Sequence, residues 1–154
     1  MEIDELIYTG CLLQDAREFN AWLELTAPEL TYRIQAYSPE IRRAMTWLEH
    51  DRAGLAALFE LTPKHHVDHA QWHRHASLYK LRVDDDRAQA LTSLVVHHTL
   101  VDVGDTHRDS GSTRLFAVGR YRDQFRLHQG RWLLSDRTVE LDTRQLGIGS
   151  HTIV

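Results

Sequence analysis

Two long strand-like runs between Thr113 and Leu146 constrain the fold more than any other part of the chain. Leu115–Leu127 and Arg131–Leu141 are joined at Gln129-Gly130, a short glycine-containing connection typical of a β-hairpin. Apolar and basic side chains of the first run alternate, which predicts one packed face and one face toward solvent or a partner. The apolar set is Leu115, Ala117, Tyr121, Phe125 and Leu127, and the basic set is Arg114, Arg120, Arg122 and Arg126.

The second run carries apolar side chains on both faces, so we expect it to be covered on both sides, with Trp132 as a core anchor. Ahead of this hairpin, helical and strand periodicities alternate along the chain. They predict helices at Ile3–Asp15, Arg17–Leu25, Pro39–His50 and Asp51–Phe59, strands at Glu29–Ala36, Trp72–Val83 and Ala90–Val103, a turn at Asp84–Asp86, and loops at Thr62–His66 and Gly104–Ser112. Helices followed by a curved antiparallel sheet give an α+β class.

The length and composition indicate one soluble globular domain over residues 1–154. With 42% hydrophobic residues, 26% charged residues and a net charge of −4, nothing favours a nucleic-acid or membrane partner. The first residues lack the basic and apolar regions of a signal peptide, so we expect a cytoplasmic protein. The single cysteine, Cys11, excludes an internal disulfide and also a Rieske centre, which needs two cysteines and two histidines.

The hairpin also carries motifs in a characteristic order, as GRYRD, FR, GRWLL and RTVELD. In this sequence they span Gly119–Asp123, Phe125-Arg126, Gly130–Leu134 and Arg137–Asp142. This pattern resembles the small (β) subunits of aromatic-ring-hydroxylating dioxygenases. Those subunits have the cone-shaped α+β fold of scytalone dehydratase and nuclear transport factor 2, in which helices pack on a strongly curved, mostly antiparallel sheet.

The resemblance implies a structural subunit without catalytic, cofactor-binding or metal-binding residues of its own. In that family the large (α) subunit holds the Rieske [2Fe–2S] cluster, the mononuclear iron and the substrate pocket. The small subunit forms a trimer and supports an α3β3 assembly that breaks down aromatic compounds.

Histidines are abundant between His65 and His75, and His97-His98 follow on a predicted strand. His65 and His69 are four residues apart, as zinc ligands on a helix can be. The glutamate of an HExxH motif is missing, however, and adjacent histidines on a strand point to opposite faces. We therefore expect surface or hydrogen-bonded histidines rather than a metal site.

A second hypothesis places an acid–base site in the mouth of the cone, as in scytalone dehydratase-like and SnoaL-like enzymes. Tyr32, His75 and His97 lie on three predicted strands and could converge there. Histidine beside a tyrosine or carboxylate can act as a general acid or base near neutral pH. The chain would then be a stand-alone enzyme or a small-ligand-binding protein.

A third hypothesis is a subunit interface on the hairpin. Arginines there are interspersed with acidic residues, which argues against a phosphate-binding strip and suits pairing with carboxylates across an interface. A solvated sheet face with weak surface ion pairs is the alternative. The interface candidates are Arg114, Arg120, Arg122, Arg126, Arg137 and Asp142.

Overall fold

The residues described by the structure form three helices and one six-stranded sheet. A computed structural model describes residues 1–65, 70–101, 111–144 and 153–154. In chain order the elements are α1 (Ile3–Asp15), α2 (Phe19–Leu23), β1 (Thr26–Ser38), β2 (Arg43–Asp51), α3 (Arg52–His65), β3 (Gln71–Asp84), β4 (Arg87–Thr99), β5 (Thr113–His128) and β6 (Arg131–Leu141). In the part of the chain so described, no helix is both long and apolar enough to cross a membrane.

The sheet has the strand order β2-β1-β6-β5-β4-β3. Neighbouring strands are antiparallel except β1 and β6, which are parallel. The helices pack on one face, called here the inner face; α1 lies against β3 and α3 against β1. The apolar core between helices and sheet includes Ile7, Trp22, Leu55, Leu94 and Val139. This is the cone-shaped α+β fold expected from the sequence.

Most predicted elements are present, two of them with the predicted bounds, α1 and β6. The loop prediction at Thr62–His66 is wrong over most of its length, because the backbone of α3 stays helical to His65 despite Pro63. Most of the predicted loop Gly104–Ser112 lies outside the described residues.

The prediction of a helix over Pro39–His50 is wrong, since this segment forms a turn and the strand β2. Ser38-Pro39-Glu40 is a good helix start, but here it begins a turn in which Arg42 adopts a positive φ of 52°. The following residues instead pair with β1 along the edge of the sheet, from Ser38↔Arg43 to Thr31↔Asp51. Pairing with a preformed strand outweighs a local helix preference of a few tenths of a kcal/mol per residue.

The β5–β6 hairpin has the predicted two-residue connection. Gln129 and Gly130 both have positive φ, of 49° and 78°, as a type I′ turn requires. A β-bulge between β4 and β5 changes the alternation before Ala117, so Phe116 is buried and Leu115 is 60% exposed. The prediction that Leu115 belongs to the packed face is therefore wrong.

Candidate functional site

The interior of the cone contains charged and polar side chains as well as apolar ones. Tyr32, Arg137 and Asp123 are register partners across β1, β6 and β5, and all three are buried on the inner face. Arg137 Nε and Nη2 donate hydrogen bonds to the two carboxylate oxygens of Asp123 at 2.8 Å and 2.7 Å. The guanidinium carbon of Arg137 lies 3.8 Å from the centre of the Tyr121 ring. This bidentate geometry is the strongest form of an arginine–carboxylate pair.

Burial alone would lower the pKa of Arg137, but the Asp123 carboxylate and its hydrogen bonds outweigh burial and raise the pKa. Arg137 therefore stays charged inside the protein and is only 1% exposed. This position removes Arg137 from the interface candidates. Alternation could have revealed it, because Arg137 stands two residues before the inner-face residue Val139.

A second ion pair joins α1 to β3. Arg74 Nη1 donates to Asp15 Oδ1 at 2.6 Å, and the Arg74 backbone N–H donates to Asp15 Oδ2 at 3.0 Å. Arg74 Nη2 also donates to the backbone oxygen of Ile153 at 3.1 Å. Because the carboxylate holds both the side chain and the backbone of Arg74, this pair fixes the end of α1 over the sheet.

Residues Ile153 and Val154 lie inside the cone and are buried. The Tyr32 hydroxyl donates to the Val154 backbone oxygen at 2.7 Å and accepts from the Val154 N–H at 3.2 Å. Burial raises the pKa of Tyr32 to about 12, so the hydroxyl is protonated at neutral pH. Tyr32 therefore serves as a neutral anchor for these two residues.

Several buried polar atoms around these contacts have no hydrogen-bond partner within the described residues. They are Gln14 Oε1 and Nε2, Arg74 Nε, Thr92 Oγ1, Tyr121 Oη and Arg137 Nη1. Burial, the largest cause, raises the pKa of Tyr121, so its hydroxyl remains a neutral group. The cone interior therefore keeps hydrogen-bonding capacity that internal water or a small polar molecule can use.

The structure does not bring Tyr32, His75 and His97 together. Tyr32 lies on the inner face, whereas His75 and His97 lie on the opposite, outer face of the sheet. The strand alternation explains this, because the buried Arg74 stands between His73 and His75 and the buried Val96 precedes His97. The predicted three-residue acid–base site is therefore not assembled.

Of the predicted histidine cluster, His66 and His69 lie outside the described residues. In the ranges that are described, no three His, Cys, Asp or Glu side chains are placed to hold a metal ion as they stand. Cys11 is on the buried side of α1, and burial raises the pKa of its thiol. A buried neutral thiol does not fit a Rieske cluster, whose ligands are thiolates and imidazoles.

The outer face carries the remaining interface candidates. Arg120 lies 3.9 Å from Asp142, and Arg122 Nε donates to Glu140. Arg126 is partly exposed on the same face, while the exposed Arg114 is separated from these three by the β-bulge. Whether these residues contact a partner remains a prediction.

Sequence reasoning missed a groove on this outer face, which has a volume of about 610 Å³. Arg33, Lys80, Arg82 and Arg122 supply positive charge to its lining, and Asp136 accepts hydrogen bonds from Arg33 at 2.9 Å and 3.3 Å. Its residues come from β1, β3, β4, β5 and β6, so only the strand order brings them together. No local motif could have predicted it.

Several large apolar side chains are exposed at the β1–β2 hairpin, on the edge of the sheet. They are between 37% and 57% exposed, namely Tyr37, Ile41, Met45 and Trp47. Exposed apolar groups on an edge strand are a recognised site of association between chains. These exposed side chains were not predicted from the sequence, because the segment was expected to be helical.

Comparisons with known proteins show, first, the class of protein to which this fold belongs. A family model described as a SnoaL-like domain matches residues 1–138. The β subunit assigned to an aromatic-ring-hydroxylating dioxygenase of Novosphingobium aromaticivorans superposes with a TM-score of 0.81 at 22% identity, covering 99% of this chain and 94% of that one. That likeness concerns the fold.

Two curated relatives narrow the class. The methanesulfonate monooxygenase hydroxylase β subunit of Methylosulfonomonas methylovora is 40% identical over 94% of this chain and 81% of its own length. The 2-aminobenzenesulfonate 2,3-dioxygenase β subunit of an Alcaligenes species is 28% identical over 98% of this chain and 96% of its own. The chain belongs to the SnoaL-like family and, within it, to the β subunits of ring-hydroxylating oxygenases. The resemblance seen in the hairpin motifs is thereby confirmed.

Proposed function

We propose that this chain is the assembly-supporting β subunit of a Rieske-type oxygenase whose substrate is an organosulfonate. The observation that carries this proposal is that the buried charged side chains of the cone, and the Tyr32 hydroxyl, are already hydrogen-bonded within the chain. Arg137 holds Asp123, Arg74 holds Asp15, and Tyr32 holds Val154. Charged and apolar groups available to partners lie instead on the outer face and at the β1–β2 hairpin.

The oxidation chemistry would belong to a large subunit, with the Rieske [2Fe–2S] cluster and mononuclear iron expected from the family resemblance. The substrate class rests on the relatives, because both curated matches are subunits of enzymes named for sulfonates, one aliphatic and one aromatic. An aromatic ring is therefore not required of the substrate. The proposed assembly is a cytoplasmic α3β3 complex built around a trimer of this chain.

Co-purification tests the assembly. When an affinity-tagged large subunit is co-expressed with this chain, we expect both to elute in equal amounts as one complex with the Rieske absorption. With a reduced electron carrier supplied, oxygen uptake should depend on a sulfonate such as methanesulfonate or 2-aminobenzenesulfonate, with benzoate as the comparison. A chain that fails to elute with the large subunit would contradict the assembly, and uptake with benzoate alone would contradict the substrate class.

We predict that reversing charge on the outer face weakens the complex. The double variant Arg120→Glu/Arg122→Glu removes two cations and places like charges beside Asp142 and Glu140, so less β subunit should co-purify. Glu5→Lys, on the exposed side of α1 and away from the outer face, is the charge-reversal control and should leave the yield unchanged. Equal recovery of all three proteins, with unchanged melting temperatures, would exclude this face from the interface.

One observation favours a second function, catalysis or ligand binding in the cone. The buried Tyr121 hydroxyl has no hydrogen-bond partner among the described residues; Tyr121 is the register partner of Thr92, and Arg137 lies over its ring. If Tyr121 were a general acid, Tyr121→Phe would lower turnover on the order of 10²–10⁴-fold in an intact complex. For a supporting subunit we expect turnover per Rieske centre to stay within about twofold of the wild type. Tyr32→Phe serves as the comparison, because that hydroxyl is already bound to Val154.

A further inference from the structure

Three histidines form a ladder on the outer face of β3 and β4. His73 and His75 are two residues apart on β3, so their side chains share a face, and His97 is the cross-strand partner of His73. The ring centres of His73 and His75 are 4.6 Å apart, and those of His75 and His97 are 5.4 Å apart. His75 therefore contacts both other rings.

No other interaction among the described residues restrains these three rings. His73 and His75 are exposed, and His97 is half-buried. Among the described residues, no hydrogen bond or ion pair is found for any of the three imidazoles; their contacts are with one another. Rotating the two exposed side chains about their χ angles consequently gives up only ring–ring contacts.

Two of the three ring separations are close to what a metal ion requires. Zinc–nitrogen bonds are about 2.0–2.1 Å long, so two imidazoles bound tetrahedrally to one ion have ring centres roughly 5 Å apart. The two observed separations lie on either side of this value. As the rings stand, their nitrogens do not converge. Binding thus needs rotation of His73 and His75, and no movement of the strands.

We propose that His73, His75 and His97 form a binding site for one divalent transition-metal ion of the Zn²⁺ class. Three imidazoles supply three of the four tetrahedral positions, and water completes the fourth. Imidazole selects Zn²⁺, Co²⁺, Ni²⁺ or Cu²⁺ over Mg²⁺ and Ca²⁺, which prefer oxygen ligands. The site lies on the outer face, apart from the cone interior, and the proposal does not rest on the proposed assembly with a large subunit.

Titration of the full chain, purified without a histidine tag, tests the site. With ZnCl₂ we expect calorimetry to show one saturable equivalent with micromolar affinity. Co²⁺ should give the intense visible absorption of a tetrahedral site and be displaced by Zn²⁺. Mg²⁺ should neither bind nor compete. Absence of saturable Zn²⁺ binding below about 1 mM would overturn the proposal.

Single substitutions of histidine test which residues bind the ion. His75→Ala removes the ring that contacts both neighbours, so Zn²⁺ affinity should fall at least tenfold, and His97→Gln should have a similar effect. His128→Ala is the matched control, because His128 contacts Glu29 elsewhere on the protein; its affinity should be unchanged. Thermal melting checks that each variant is folded. Wild-type affinity in both His75→Ala and His97→Gln would place the metal at other histidines and refute the proposal.

Discussion

Trp22→Ala should lower the free energy of unfolding by about 3–5 kcal/mol, the range for deleting a buried tryptophan or phenylalanine. Trp22 is 1% exposed on α2 and packs edge-on against the rings of Tyr32 and Phe59. Its removal leaves a cavity where all three helices meet the sheet, because its indole also approaches Gly10 of α1. Chemical denaturation of the purified chain, analysed for midpoint and slope, measures the loss.

Trp132→Ala is the matched control for Trp22→Ala. Trp132 was expected to be a core anchor, but it is only partly buried, at the start of β6 beside the hairpin turn. Deleting it opens less buried volume, so the destabilisation should be clearly smaller. If the two alanine variants lose equal stability, the difference in packing assigned to the two rings is wrong.

Asp123→Asn should lower the free energy of unfolding by about 3–5 kcal/mol, because it leaves the Arg137 charge buried without its counterion. The variant preserves the shape of the side chain, so the loss would come from charge and hydrogen bonding rather than from a cavity. Arg122→Gln on the same strand is the control. Its exposed pair with Glu140 should contribute no more than about 1 kcal/mol. Both values can be measured by urea unfolding near neutral pH.

The double variant Asp123→Leu/Arg137→Met separates two explanations of that loss. If the cost arises from an uncompensated charge, replacing both partners with apolar side chains should restore much of the stability. Thermal unfolding of the wild type, Asp123→Leu, Arg137→Met and the double variant gives the coupling energy of the pair. A double variant whose loss of stability equals the sum of the two single losses would show no coupling between Asp123 and Arg137, and would contradict the explanation by an uncompensated charge.

The sequence predicts the fold well where periodicity is long and unbroken. The alternation of β5 and β6 and the helical stripe of α1 specify these elements and the α+β class. The prediction fails where a contact far along the chain decides the outcome. Ser38-Pro39-Glu40 resembles a helix start, yet pairing with β1 turns the next residues into β2. Phe116 leaves the alternation because β4 imposes a bulge.

The candidate site was harder to predict because it depends on which face each strand presents. Arg137 was grouped with the surface arginines by its charge, although its position two residues from Val139 places it inside. Tyr32 and His75 were combined by residue type, yet they occupy opposite sides of the sheet. A His-x-His pair on a strand was the signal for the histidine ladder, but its third member required the β3–β4 register.

The parallel pairing of β1 with β6 has a consequence for the order of folding. On one side of β6 the sheet contains only the β1–β2 hairpin, and on the other it contains β5, β4 and β3. The two halves share no strand ladder until β6 enters between them. The sheet therefore cannot close during synthesis until residues 131–141 have left the ribosome. Until then, the edges of β1 and β5 that will pair with β6 stay exposed and must not pair with other strands. Closure is accordingly a late, long-range event, which favours slow folding and gives partner subunits or chaperones a period in which to act.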